Sequence, residues 1–77
     1  MDATRDELTA REIEILRLVA TGLSDKRIGV HLGIAHRTVS NHVGTVLHKL
    51  SASNRTEAVA NAIRDGIIEA PLPRPAP

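Results

Sequence analysis

Seventy-seven residues without Phe, Trp or Tyr make a single domain, packed from Leu, Ile, Val and Ala, with little room for an enclosed active site. The absence of cysteine excludes disulfides and thiolate zinc sites and fits a reducing cytoplasm; no apolar run suits a bilayer, and Met1-Asp2-Ala3-Thr4 is no signal-peptide start. The net charge is only +1, but no acid lies between Asp25 and Glu57, where Lys26, Arg27, Arg37, Lys49, Arg55 and all four histidines fall, and such a basic middle suits a polyphosphate.

The first predicted element is a helix opening at Thr9. A capping box joins Thr9 to Glu12, each satisfying a backbone donor that the helix leaves orphaned, and Leu8 is placed to pack on Ile13 as a hydrophobic staple. A docking surface for a sensor domain or a second subunit is the other reading of Ile13. Ile15, Leu16, Leu18, Val19 and Ala20 give the broad apolar face of a central helix, and Gly22 closes it.

A second helix follows Ser24, its N-cap, with Asp25 in the first turn where the helix dipole favours an acid. Ile28 and Leu32 face the core. Gly29 costs about 1 kcal/mol of helix propensity against Ala, which we read as the cost of letting another helix approach closely. Gly33 ends the helix, and Ile34 is a buried turn residue.

The third helix runs from about His36 to Leu50, joined to the second by only about three residues, the connection of a helix-turn-helix. Val39, Val43, Val46, Leu47 and Leu50 cluster on one side of its wheel. Arg37, Ser40, Asn41, Gly44, Thr45 and His48 occupy the other, a face with no acid and no large apolar group. His42 sits at the edge of the apolar arc and reads as a partly buried histidine hydrogen-bonded within the fold.

A fourth helix is capped by Asn54, with Glu57 completing a second box, and runs through Ala58, Val59, Ala62 and Ile63 to Gly66. Its two small apolar edges serve the core and a partner. Ile67 and Ile68 tuck back, and the prolines of the final APLPRPAP stretch forbid helix. The expected organisation is a flexible segment over 1–7, a domain over 8–68 and a Pro-rich disordered tail over 69–77. The fold class is all-α, a four-helix bundle containing a helix-turn-helix.

No catalytic constellation emerges. The histidines stand five or six residues apart and do not converge on one helix face as metal ligands do, and no glycine-flanked nucleophile turn is present. Neither metal nor cofactor is expected, and the chain is not read as an enzyme.

These residues together resemble the LuxR/GerE-type helix-turn-helix. The resemblance rests on Leu8-Thr9-Ala10-Arg11-Glu12, on Gly22-Leu23-Ser24 with Lys26 and Ile28, and on Leu32 and Ile34. It continues through Thr38-Val39, His42, Lys49-Leu50, Asn54-Arg55-Thr56, Ala58 and Gly66, covering about Leu8 to Ile68. It implies a bacterial transcription regulator whose third helix enters the major groove of double-stranded DNA and whose fourth forms a homodimer. It also implies an upstream receiver or sensor domain; RNA polymerase is a further expected partner. The chain departs from the family pattern at Ala35, which removes a side-chain cap, at Ser40, which stands where Lys is common, and at Gly44, which offers no side chain.

Within that frame Asn41 is the leading base reader, because its amide pairs bidentately with an adenine edge. Arg37 reaches guanine or a phosphate, and Ser40 is a weak discriminator. Gly44 either lets the helix sit deeper in the groove or is simply a weak point of the helix. Lys26, Thr38, Lys49 and His48 are the expected phosphate contacts, and Val59, Ala62 and Ile63 the expected dimer surface. Two other readings are a sigma-factor region-four-like promoter module and a protein-interaction bundle whose third helix no longer engages DNA. Single-stranded nucleic acid is disfavoured, since no Phe, Tyr or Trp ring is available for base stacking. The bacterial cytoplasm, at the nucleoid, is the expected location.

Overall fold

The structure, a computed structural model, describes residues 7–71. The expected flexible segment and Pro-rich tail therefore lie outside the described residues, apart from residue 7 and residues 69–71. Four helices follow in order: α1 (Ala10–Ala20), α2 (Asp25–Leu32), α3 (His36–Lys49) and α4 (Arg55–Arg64). Among the described residues there is no strand, and no helix is long and apolar enough to cross a membrane. The all-α expectation holds, with α3 ending one residue early because Leu50 is its C-cap.

Local chemistry sets the helix starts. Thr9 accepts from the Glu12 N–H at 3.1 Å while Glu12 Oε1 accepts from the Thr9 N–H at 2.9 Å, so the capping box is complete. Ser24 accepts from the Arg27 N–H. Asn54 accepts from the Glu57 N–H, but Glu57 reaches one residue further back, to the Ser53 N–H, so the expected reciprocal box at α4 is only half made. Leu8 and Ile13 pack on the same core cluster, which fits the staple reading.

The core has two lobes. Leu16, Val46, Leu50, Ala58, Ala62 and Ile68 form one, between α1, α3 and α4. Ile15, Ile28, Val39 and Val43 form the other, between α1, α2 and α3. Neighbouring residues of α1 thus serve different lobes, and Leu47 touches both. With α1 and α3 shared, the placement of α3 is fixed from two sides, and its remaining face is left to solvent.

Ala62 corrects an expectation at this point. It is fully enclosed in its own domain's core, so it has no surface to give to a second subunit. Val59 and Ile63 are half-buried and pack on the same lobe from its margin.

Candidate nucleic-acid interface

Gly33 ends α2 with φ of 72°, a left-handed conformation that glycine adopts without a Cβ penalty. The Ile34 N–H then donates back to the Gly29 carbonyl at 2.9 Å, and Ile34 packs into the lobe that holds Ile28. Gly29 is needed on the other side of this contact. A Cβ there would stand 2.6 Å from the Ile34 carbonyl oxygen and 3.3 Å from the His36 nitrogen. What approaches Gly29 is thus the turn together with the first residue of the neighbouring helix α3, and the approach is made by backbone. This contact sets how α3 leaves α2.

Val39, Val43 and Val46 are buried, whereas Arg37, Ser40, Asn41, Gly44, Thr45 and His48 are all exposed. His36 and Thr38 extend the exposed surface at the N-terminal end of α3. Ala35 is the N-cap and makes no side-chain hydrogen bond, so the first amides of α3 are left without a side-chain acceptor. Around Gly44 the space a Cβ would fill is open. The Thr45 hydroxyl turns back to the Asn41 carbonyl at 3.2 Å. His42 is half-buried and its side chain makes no hydrogen bond among the described residues, so the expected internal bond is not formed.

Two cations of the basic stretch are already taken. Lys49 Nζ donates to Glu12 Oε1 at 2.9 Å and to the Glu7 carbonyl at 3.2 Å, with the lysine side chain only 17% exposed. Burial alone would raise the Glu12 carboxyl, but the Thr9 amide and the Lys49 ammonium outweigh it and hold the group below its ordinary value. Lys49 therefore ties α3 to the start of α1 with two of its three ammonium protons, which weakens its claim as a phosphate contact.

The second tie is Asp25. Arg55 grips its carboxylate in a two-pronged pair, with Arg55 Nη2 at 2.7 Å from Oδ2, and the Ser40 hydroxyl donates to the same Oδ2 at 2.5 Å. The Arg55 hydrogen bonds are the main reason the Asp25 carboxyl lies below its usual value, and Arg55 is raised in turn by Asp25. One carboxylate joins the starts of α2 and α4 to the exposed face of α3. Sequence reading saw Asp25 only as a dipole partner of α2 and Arg55 only as one cation of the basic middle and of the family pattern; the pair spans 30 residues and leaves no local signal. Among the described residues Lys26 and Arg37 have no ion-pair partner, and Lys26 stands in the first turn of α2 beside this network.

An acid-free polar helix face, presented by a short helix-turn-helix and backed by a valine ridge, is the surface that matters for comparison with known proteins. The family model for GerE, bacterial regulatory proteins of the luxR family, matches residues 6–62. The chain belongs to the luxR family. The transcriptional regulatory protein DegU of Brevibacillus brevis is 42% identical over 62 residues, which make up 80% of this chain and 26% of DegU. The response regulator ChrA of a heme-sensing two-component system superposes with a TM-score of 0.79 at 39% identity, over 83% of this chain and 32% of ChrA. The transcription factor GerE superposes with a TM-score of 0.75, also at 39% identity, over 80% of this chain and 92% of GerE. The chain spans about a quarter of the length of DegU, the first curated relative it matches. It is a LuxR-type DNA-binding domain of a transcription regulator, and the luxR family is one of regulators rather than an enzyme class.

Proposed function

We propose that this LuxR-type domain binds double-stranded DNA sequence-specifically, with α3 in the major groove, and that it pairs with a second copy through α4. The observation that carries the reading is the exposed face of α3. Asn41, Arg37 and Ser40 project from it as hydrogen-bonding groups, α3 itself contributes no acid to it, and Val39, Val43 and Val46 anchor the opposite side. Asn41 is assigned to an adenine edge and Arg37 to guanine or a phosphate. Gly44 lets the backbone approach the groove floor. Phosphate contacts fall to Lys26, Thr38 and His48, with the uncapped start of α3 contributing backbone N–H groups.

Pairing is assigned to the outer edge of α4, where Val59 and Ile63 remain partly open after Ala62 is committed to the core. Two domains on half-sites about 10 bp apart would each contribute one α3. The names of DegU, a transcriptional regulatory protein, and ChrA, a response regulator of a two-component system, support a transcription regulator; with that reading we assign it an upstream receiver domain, RNA polymerase as a partner and the bacterial nucleoid as its place.

Selection of bound duplexes from a randomised pool tests the reading. Asn41→Ala relaxes preference at one base pair by about 1–3 kcal/mol and leaves the others unchanged. Val59→Lys, folded by circular dichroism, lowers affinity for paired half-sites and leaves a single half-site unaffected. Equal affinity of this variant for paired sites would remove α4 as the dimer surface.

A further inference from the structure

Ser40 has an exposed hydroxyl on the groove-facing side of α3, yet its proton is committed. A carboxylate only accepts hydrogen bonds, so in the Ser40–Asp25 bond the hydroxyl is the donor, at 2.5 Å. Asp25 is held against rotation by Arg55, which bonds both carboxylate oxygens. The hydroxyl is therefore fixed with its hydrogen turned towards α2 and only its lone pairs left for a ligand.

A free serine hydroxyl donates or accepts with equal ease and tells bases apart poorly. A serine whose hydrogen is engaged does not. In the major groove adenine offers an N6 amino donor and cytosine an N4 amino donor, while guanine O6 and thymine O4 only accept. We infer that Ser40, oriented by Asp25, is a specificity-determining acceptor that selects adenine or cytosine over guanine or thymine on the strand it meets. This rests on the proposed seating of α3 in the major groove. Each base pair carries one amino group there, so the preference reads which strand bears it. Asp25 is a positioning residue in this scheme and touches no base. Arg55 balances its charge, which keeps a bare carboxylate away from the DNA.

The test uses the whole chain and duplexes randomised across the site, with relative affinity read base by base. The wild type shows one column that favours A or C by about three- to tenfold, the worth of one net hydrogen bond. Ser40→Ala keeps the Asp25–Arg55 pair and flattens that column alone. Asp25→Ala frees the hydroxyl to donate, so G and T become acceptable in the same column while the other columns keep their preferences. A column that survives Ser40→Ala overturns the inference. So does an Asp25→Ala variant that lowers affinity uniformly with the A/C preference intact. Wild-type selection that yields no bound duplex overturns the seating of α3 itself, an outcome distinct from sequence-specific binding without an amino-selecting column.

Discussion

Glu12 is the one charged side chain buried among the described residues, and it does three jobs at once: it completes the α1 capping box, receives Lys49, and fixes the end of α3 against the start of α1. Asp25 does the equivalent work at the opposite corner, with Arg55 and Ser40. Both carboxyls are held below their ordinary values, so the folded chain binds fewer protons than the unfolded chain near pH 4. Their stabilisation is complete above the unfolded values, about pH 4 for a free carboxyl, and drains away as pH falls through the lower folded values. Urea midpoints followed by circular dichroism are predicted to hold steady down to about pH 5 and then to drop steeply towards about pH 3. Glu12→Gln is expected to start lower by about 1–3 kcal/mol at neutral pH and to show a shallower acid drop, because its side chain no longer titrates. None of these long-range pairs was legible in the sequence. Glu12 and Lys49 are 37 residues apart, and only the crossing of α1 with α3 brings them together. The capping box within Glu12's own turn was legible, because its chemistry closes over three residues.

At the scale of the element, two glycines on neighbouring helices carry opposite meanings. Gly29 has the backbone of the turn where its Cβ would be, and Gly44 has open space. Gly29→Ala gains about 1 kcal/mol of helix propensity and loses more through the contact with Ile34 and His36, for a net destabilisation of about 1–3 kcal/mol. Gly44→Ala has only the gain, about 1 kcal/mol. Thermal scans should move the two midpoints in opposite directions, by roughly 4–8 °C per kcal/mol for a chain of this size. The helix end at Ser51 offers a third case. Its φ of 53° is left-handed, and the Ala52 N–H closes back on the Leu47 carbonyl as in a glycine-terminated helix. Ser51→Gly is predicted to stabilise by about 0.5–1 kcal/mol, the left-handed strain relieved less the extra entropy of an unfolded glycine; denaturant midpoints check it. Element boundaries were legible because caps are local: Thr9, Ser24 and Gly33 act within one turn. The face of α3 was legible too, since a valine ridge at helical spacing has only one way to be buried. Helix α4 was harder. Its wheel shows two small apolar edges, and nothing in the spacing says which meets the core, so Ala62 was assigned outward although it lies fully inside.

Across the whole molecule, the two lobes share α1 and α3, so α3 is packed from both lobes and its outer face is left to solvent. The basic middle of the sequence suggested a larger electrostatic footprint than the fold delivers. Lys49 and Arg55 spend their charge on Glu12 and Asp25, which leaves Lys26, Arg27 and Arg37 as the lysines and arginines of that stretch outside ion pairs among the described residues. Charge spacing along a chain cannot reveal that pairing, because the partner acids lie outside the stretch and come back to it only through tertiary packing. A domain with so few open cations should grip phosphates lightly and depend on pairing for useful affinity. The most direct test is the salt dependence of binding to a duplex carrying the selected site. The logarithm of the affinity should fall linearly with the logarithm of salt concentration, with a slope of roughly −2 to −3 per domain. Lys26→Ala should make that slope shallower by about 1, and Lys49→Gln should leave it unchanged. A flat salt dependence, or a Lys49→Gln variant that loses as much slope as Lys26→Ala, would contradict a DNA interface built on α3 and the start of α2.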